Sequence, residues 1–534
     1  MTQVALSLFW PFFAGLAVLV LAHYVWVKPR PVALWERPPA ALALGMGLWC
    51  AAFALEVLLW RRPWFGVANL WALVLIIAII NQLKIRALRE PFVAQDFEYL
   101  VDVFRHPRLY FPFFGWWRAI AVALAFGLCV ALAIHFEPSL VAMYGWPDVL
   151  SVVLPLLAAG IALLFAAKRA AWPATFDAEQ DITRYGLVGA CWAYAFHERA
   201  DRHREPPGML DQSPFAGSAR PLRCQKELPH LVAVQSESFF DVRQWIDNVA
   251  PAVYQGFDAV RSKAYAHGQV WVPAWGANTV RTEFAFLTAL RPELLGVHQF
   301  NPYRVLARHG APTIAAYLKQ LGYTTICVHP YAASFYQRDF IYPRFGFDHF
   351  IDIEAFGPQD YCGPYVGDRA VAREVMKLLK GAEEPVFVFA ITMENHGPLH
   401  LEKLADSDTE RLHKQPPPRN CQDLTLYLRH IVNAGEMLQQ LQNGMQALER
   451  PVGMCFYGDH VPILPGPYAH YGPPSGHTDY LLWANTRLSE QSAIRALDLA
   501  KGAGPAQLHD LAPAWLKSMG IGCEGSLNES ALRR

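Results

Sequence analysis

Apolar positions crowd into five long runs before the chain changes rhythm. Residues 5–27, 65–83, 119–136 and 149–167 contain no Asp, Glu, Lys or Arg, and residues 41–60 contain one acid, Glu56. Each run approaches or exceeds the roughly 20 residues that a helix rising about 1.5 Å per residue needs to cross a bilayer core. Charged or Pro-rich connectors separate the runs. The pattern therefore predicts a membrane domain of five transmembrane helices over residues 1–169, rather than buried helices of one large soluble core. The first run has no basic leader and ends at Val27-Lys28-Pro29-Arg30 without a small-residue cleavage site, which argues against a cleavable signal peptide.

After the fifth run the periodicity shortens. Residues 170–228 read as a linker, polar and turn-rich between Arg202 and Arg223. Over residues 229–534, short apolar runs (Leu231–Val234, Tyr323–Val328, Val386–Ile391, Val452–Tyr457 and Tyr480–Trp483) alternate with helix-like stretches such as Ala311–Leu321, Asp368–Leu379 and Leu424–Leu448. That alternation predicts an α/β domain with a largely parallel central sheet covered by helices. Residues 401–423, with prolines at 416, 417 and 418, read as a surface insertion.

Composition agrees with a membrane protein. Only 17% of residues are charged while 53% are hydrophobic, against roughly 25% charged in an ordinary soluble domain. Lys+Arg and Asp+Glu balance at 46 each, so no basic field marks a nucleic-acid partner. Of nine cysteines, Cys50 and Cys129 lie in membrane runs and Cys327 and Cys455 in predicted strands. One or two disulfides among the rest stay open.

In an open α/β sheet, ligands gather at the carboxyl ends of the strands. Here those ends read Gln235-Ser236-Glu237-Ser238, His329-Pro330, Thr392-Met393-Glu394-Asn395-His396 and Gly458-Asp459-His460. Singly, each has a bland reading as a cap, a turn or a structural histidine. Together, Glu237, Asp459 and His460 offer the hard and borderline donors that suit one divalent cation, Mn²⁺, Mg²⁺ or Zn²⁺. A hydroxyl in Trp275-Gly276-Ala277-Asn278-Thr279-Val280-Arg281-Thr282-Glu283-Phe284 is a candidate nucleophile, because a bound cation lowers the pKa of an alcohol. Spacing alone does not choose between Thr279 and Thr282, nor exclude that either is simply a helix cap.

These motifs, with Phe335-Tyr336-Gln337-Arg338-Asp339 and the tail Leu508-His509-Asp510-Leu511-Ala512-Pro513, resemble in order and spacing the lipoteichoic acid synthase-like phosphoglycerol transferases of the alkaline phosphatase/sulfatase superfamily. Five membrane helices ahead of the catalytic domain fit that architecture. The resemblance implies Thr279 as the catalytic threonine, metal ligands at Glu237, Thr279, Asp459 and His460 with Mn²⁺ the usual occupant, and substrate-phosphate contacts at His329, Arg338 and His396. Tyr336 stands at a substrate-binding position where many relatives have Trp. His396 or His329 would shuttle the proton. The implied activity moves a phosphoglycerol-type group from a phospholipid donor to an envelope glycan or polymer through a phospho-threonine. The alternatives are a phosphoethanolamine transferase, or a sulfatase or phosphodiesterase of the same superfamily. A catalytically dead scaffold would have lost one of the four ligands, and all four are present.

Orientation sets two rules against each other. Lys28, Arg30 and Arg37, with Lys84, Arg86, Arg89, Arg105, Arg108 and Arg118, would place the loops 28–40 and 84–118 in the cytoplasm and the catalytic domain with them. The resemblance implies a multi-pass inner-membrane protein whose catalytic domain faces the periplasm or exterior, where lipid-linked head groups are presented. The 84–118 loop is long and carries Glu90, Asp96, Glu98 and Asp102, which weakens the count, and its stretch Tyr110–Trp117 is aromatic enough to lie in the membrane interface.

Overall fold

The computed structural model describes residues 2–97, 116–201, 208–221, 227–399, 402–405, 407–486 and 505–522. Most of the aromatic stretch 110–117, together with Cys224 and Cys523, lies outside them. The chain divides into two compact units, Met1–His203 and Arg204–Arg534.

The five apolar runs are helical. The spans long and apolar enough to cross a membrane are Thr2–Trp26 (α1), Pro39–Trp60 (α2), Pro63–Leu88 (α3), Ala123–Tyr144, most of it within the helix Trp116–Phe136 (α4), and Trp146–Arg169 (α5). No more than 39% of the most apolar stretch of any of them is buried inside the unit. Helices of a soluble core would be covered; these turn their apolar sides outward, as a lipid solvent requires. The protein is a multi-pass membrane protein. Small residues let α2 and α5 cross closely: a Cβ on Gly160 would lie 2.8 Å from the Ala51 amide, and one on Gly47 3.0 Å from the Gly160 carbonyl. Glu56, the lone acid of the second run, accepts from Asn69 Nδ2 on α3 at 3.0 Å, so it is paired between helices. The stretch read as a linker contains a further helix, Ala178–Asp201 (α6), broken at Gly186 where φ is 75°. It packs within the first unit because Ile182, Leu187 and Ala190 are apolar and buried there.

The second unit is built on a seven-stranded sheet. Its strands are β1 (His230–Ser236), β2 (Ala266–Val270), β3 (Thr324–Val328), β4 (His349–Ile351), β5 (Val386–Ile391), β6 (Val452–Gly458) and β7 (Thr478–Ala484), in the order β2-β7-β6-β1-β5-β3-β4. The pairings among β6, β1, β5, β3 and β4 are parallel, and β7 runs antiparallel to both β6 and β2. Alternate residues of β1 serve opposite faces: Leu231 and Ala233 join one core, Val232 and Val234 the other. Helices Thr279–Thr288 (α7) and Leu508–Ser518 (α10) cover the first face, while Asp368–Gly381 (α8) and Gln422–Gln446 (α9) cover the second. Being apolar on both sides is why the strands read as continuous hydrophobic runs. The short strands β2 and β4 lack such a run and escape the pattern.

Residues 401–423 are more than a surface insertion. Leu412 and Cys421 are fully buried and the Leu412 carbonyl accepts from Ala250 N at 3.0 Å, so the segment is pinned to the domain. Every cysteine among the described residues is free.

Candidate active site

Four strand ends converge. Just past β1 and β6, Glu237, Asp459 and His460 are all buried and bring ligand atoms within 4.8 Å of one another. Two local devices hold them. Ser238 adopts a left-handed conformation, φ 53°, from which its backbone N–H reaches Asp459 Oδ1 at 2.7 Å and its hydroxyl reaches Glu237 Oε1 at 2.9 Å. Gly458 must be glycine, since a Cβ there would collide with the Phe239 carbonyl. Thr392 Oγ1 accepts from the Glu237 amide at 3.1 Å, tying the end of β5 to the same point.

The acceptors at this point are not all matched by the chain. His460 Nδ1 faces the Val461 carbonyl at 3.1 Å and the Ser238 hydroxyl at 3.3 Å, while Nε2 faces Asp459 Oδ2 at 3.4 Å and Glu237 Oε1 at 3.7 Å. Asp459 Oδ2 is buried without a hydrogen-bond partner. Burial, then the neighbouring Asp459, pushes the Glu237 carboxyl up to about 8, and burial likewise raises Asp459. Two buried carboxyl groups and an imidazole nitrogen, with ligand atoms this close, make a place for a positive charge between them. The donor set fits a divalent cation.

Thr279 opens α7, preceded by Asn278 in the left-handed region at φ 68°. Neither Thr279 nor Thr282 is the helix cap. The Thr282 hydroxyl donates to the Asp459 backbone carbonyl at 2.8 Å. The Thr279 hydroxyl faces the Asp459 carboxylate and opposes the rise in its pKa. The loop before it is anchored by Gly276 N to the Val461 carbonyl at 3.0 Å.

The predicted phosphate-contact residues divide. Arg338, 1% exposed, is bound by both oxygens of Glu283, while Tyr303 and Tyr342 donate to Glu283 Oε2 at 2.8 and 2.7 Å. His329 is engaged at both nitrogens, Nε2 with Arg338 Nη1 at 3.2 Å and Nδ1 with the Ile391 carbonyl at 3.3 Å; burial, then Arg338, holds its pKa well below the usual range. Among the described residues His396 is engaged only at Nδ1, by the Gly397 carbonyl at 2.7 Å and the Tyr365 hydroxyl at 3.2 Å, and burial lowers its pKa too. Tyr336, half-buried with φ 56°, lies against Arg338 with its ring centroid 5.2 Å from the guanidinium carbon. Ser238, Thr392, Tyr365 and the carboxylate of Glu283 are the parts of the site that motif reading left without a role. Only Glu283 had a usable signal, standing one helical turn after Thr279.

The Sulfatase family model matches residues 229–521. The capsular polysaccharide biosynthesis protein RkpI of Rhizobium meliloti (strain 1021) is 27% identical over 460 residues, 82% of this chain and 80% of that protein. The lipoteichoic acid synthase-like YvgJ of Bacillus subtilis (strain 168) is 24% identical over 209 residues, 38% of this chain and 32% of that protein. Among solved structures, the integral membrane protein lipooligosaccharide phosphoethanolamine transferase A of Neisseria meningitidis shares the fold, with a TM-score of 0.57 at 13% identity over 98% of this chain and 96% of that one. The resemblance carried by the motifs is thereby borne out.

Proposed function

The chain belongs to the Sulfatase family, and from that membership we propose a membrane-bound, metal-dependent transferase that moves a phosphoglycerol-type group from a phospholipid to an envelope glycan or polymer through phospho-Thr279. The observation that carries this reading is the meeting of Glu237, Asp459 and His460 at one buried point that the Thr279 hydroxyl also reaches. Relatives named for capsular polysaccharide biosynthesis and for lipoteichoic acid synthesis support an envelope acceptor and a lipid-linked donor.

Glu237, Asp459 and His460 would hold the cation, Mn²⁺ by resemblance, with Thr279 as a fourth ligand. Bound there, it would make the threonine alcohol more acidic and offset phosphate charge. Thr279 Oγ1 attacks phosphorus in line, the bond from phosphorus to the lipid oxygen breaks, and the lipid alcohol departs. His396, whose Nε2 has no hydrogen bond among the described residues, is placed by chemistry to protonate that departing oxygen. It then takes the proton of the acceptor hydroxyl, which attacks phosphorus from the side the lipid left and breaks the bond to Thr279 Oγ1, regenerating the threonine. Arg338 supplies fixed positive charge for the phosphoryl oxygens, and Tyr336 borders it.

The test is intact-mass measurement of the full chain in detergent after incubation with phosphatidylglycerol or phosphatidylethanolamine. A phosphoglycerol adduct on Thr279 is expected. A phosphoethanolamine adduct would transfer the reading to the other head group, and no adduct from any phospholipid would overturn it. The catalytic domain belongs on the outer face in this proposal, so a reporter fused after Arg534 should be active only there.

A further inference from the structure

We infer that His329 is a positioning residue: a neutral imidazole, protonated at Nδ1, that together with Glu283 clamps Arg338 from two sides and leaves proton transfer to His396. The assignment follows from which atoms can donate. A guanidinium has five N–H groups and no acceptor, so the 3.2 Å contact between Arg338 Nη1 and His329 Nε2 is a bond donated by arginine. Nε2 therefore bears no hydrogen. The single ring hydrogen sits on Nδ1, where the Ile391 carbonyl can only accept it. An imidazole so arranged has no N–H left to offer a phosphate. Complete burial, with the positive charge of Arg338 beside it, holds its pKa well below the ordinary histidine value.

The other edge of Arg338 meets Glu283, which is wholly buried and receives Nε at 3.2 Å as well as Nη2. Tyr303 and Tyr342 complete the acceptor capacity of Oε2 from two further segments. With Nε, one Nη2 hydrogen and one Nη1 hydrogen committed, two N–H groups remain to address a phosphate. Glu283 lies four residues after Thr279 on α7, so one short helix carries both the nucleophile and the group that aims the arginine. The geometry of attack and that of charge stabilisation are thus set by the same rigid element.

What Arg338 does for the phosphate rests on the transferase reading; the tautomer of His329 rests on its hydrogen bonds alone. Two measurements on the full chain in detergent separate them. With ¹⁵N-labelled histidine, the His329 signals should show a protonated Nδ1 and an unprotonated Nε2 from pH 5 to pH 9. A protonated Nε2, or titration near the ordinary histidine value, would overturn the inference. In phospholipid turnover, His329→Ala should lower kcat by about 10²-fold with KM for the donor nearly unchanged. His329→Gln, whose amide oxygen can accept from Arg338, should recover to within about tenfold of the parent with the same pH limbs. A Gln variant as weak as Ala, or one that loses the limb belonging to the proton shuttle, would overturn the inference as well. If the parent chain turns over no phospholipid, the functional reading fails and the imidazole spectrum still decides the tautomer.

Discussion

Two buried acid clusters lie within one helix of each other, and they are built on opposite plans. Around Glu283 every acceptor is matched: an arginine across both oxygens, and two tyrosine hydroxyls on Oε2. Around Glu237 and Asp459 the chain supplies two carboxylates, leaves Asp459 Oδ2 without a partner, and turns the His460 ring so that Nε2 faces them. The first is a finished structural unit. The second leaves an acceptor open, and its donor set fits a divalent cation. Burial alone does not mark function, since both clusters are buried; the unmatched charge does.

That contrast can be broken in order of expected effect. Thr279→Ala should abolish turnover, by roughly four orders of magnitude or more, while metal stoichiometry measured by elemental analysis stays near that of the parent. Retained activity would move the nucleophile elsewhere. In the matched cluster, Glu283→Gln removes the charge that Arg338 faces. It should cost about 3–5 kcal/mol of stability in denaturant unfolding, because a buried guanidinium is left without its counter-charge.

The unmatched cluster should respond in the opposite sense. Glu237 is held up to about 8 from an ordinary 4.5. Above the unfolded value the folded state therefore keeps a proton that the unfolded chain releases. The contribution of this carboxyl to the stability of chelated protein should be fully present below about pH 4.5 and be lost as the pH rises toward about 8. Added Mn²⁺ should offset the loss at the alkaline end and do little near pH 5. Asp459→Asn should flatten this dependence, so that at pH 8 the chelated variant melts above the chelated parent. A parent whose thermal midpoint does not fall over that range would refute the shared-cation account. The smallest change, Tyr342→Phe, removes one of the four donors on Glu283 and should cost about 1 kcal/mol, visible in unfolding but not in metal content.

Much of this was legible from order and spacing. The membrane spans follow from length and apolarity. Four strand ends could be found because strands covered on both faces are written as uninterrupted apolar runs, with chemistry at their carboxyl termini. The edge strands Ala266–Val270 and His349–Ile351 could not, having no such run. Helix Ala178–Asp201 was hidden within a stretch that reads as a linker because its helical pattern breaks at Gly186.

Residue types at strand ends and in the motifs between them determined what kind of chemistry the chain offers: oxygen and nitrogen donors that suit a cation, a hydroxyl, an arginine and two histidines. Only the tertiary structure decided which of them act on one another. Thr279 and Thr282 are equivalent in the chain, yet one hydroxyl reaches a side-chain carboxylate and the other a backbone carbonyl. His329 and His396 follow strands alike, yet one is closed at both nitrogens and the other has Nε2 free of any bond among the described residues. A hydrogen bond depends on direction over about 3 Å, and that direction is set by segments far apart in the chain meeting at one end of the sheet.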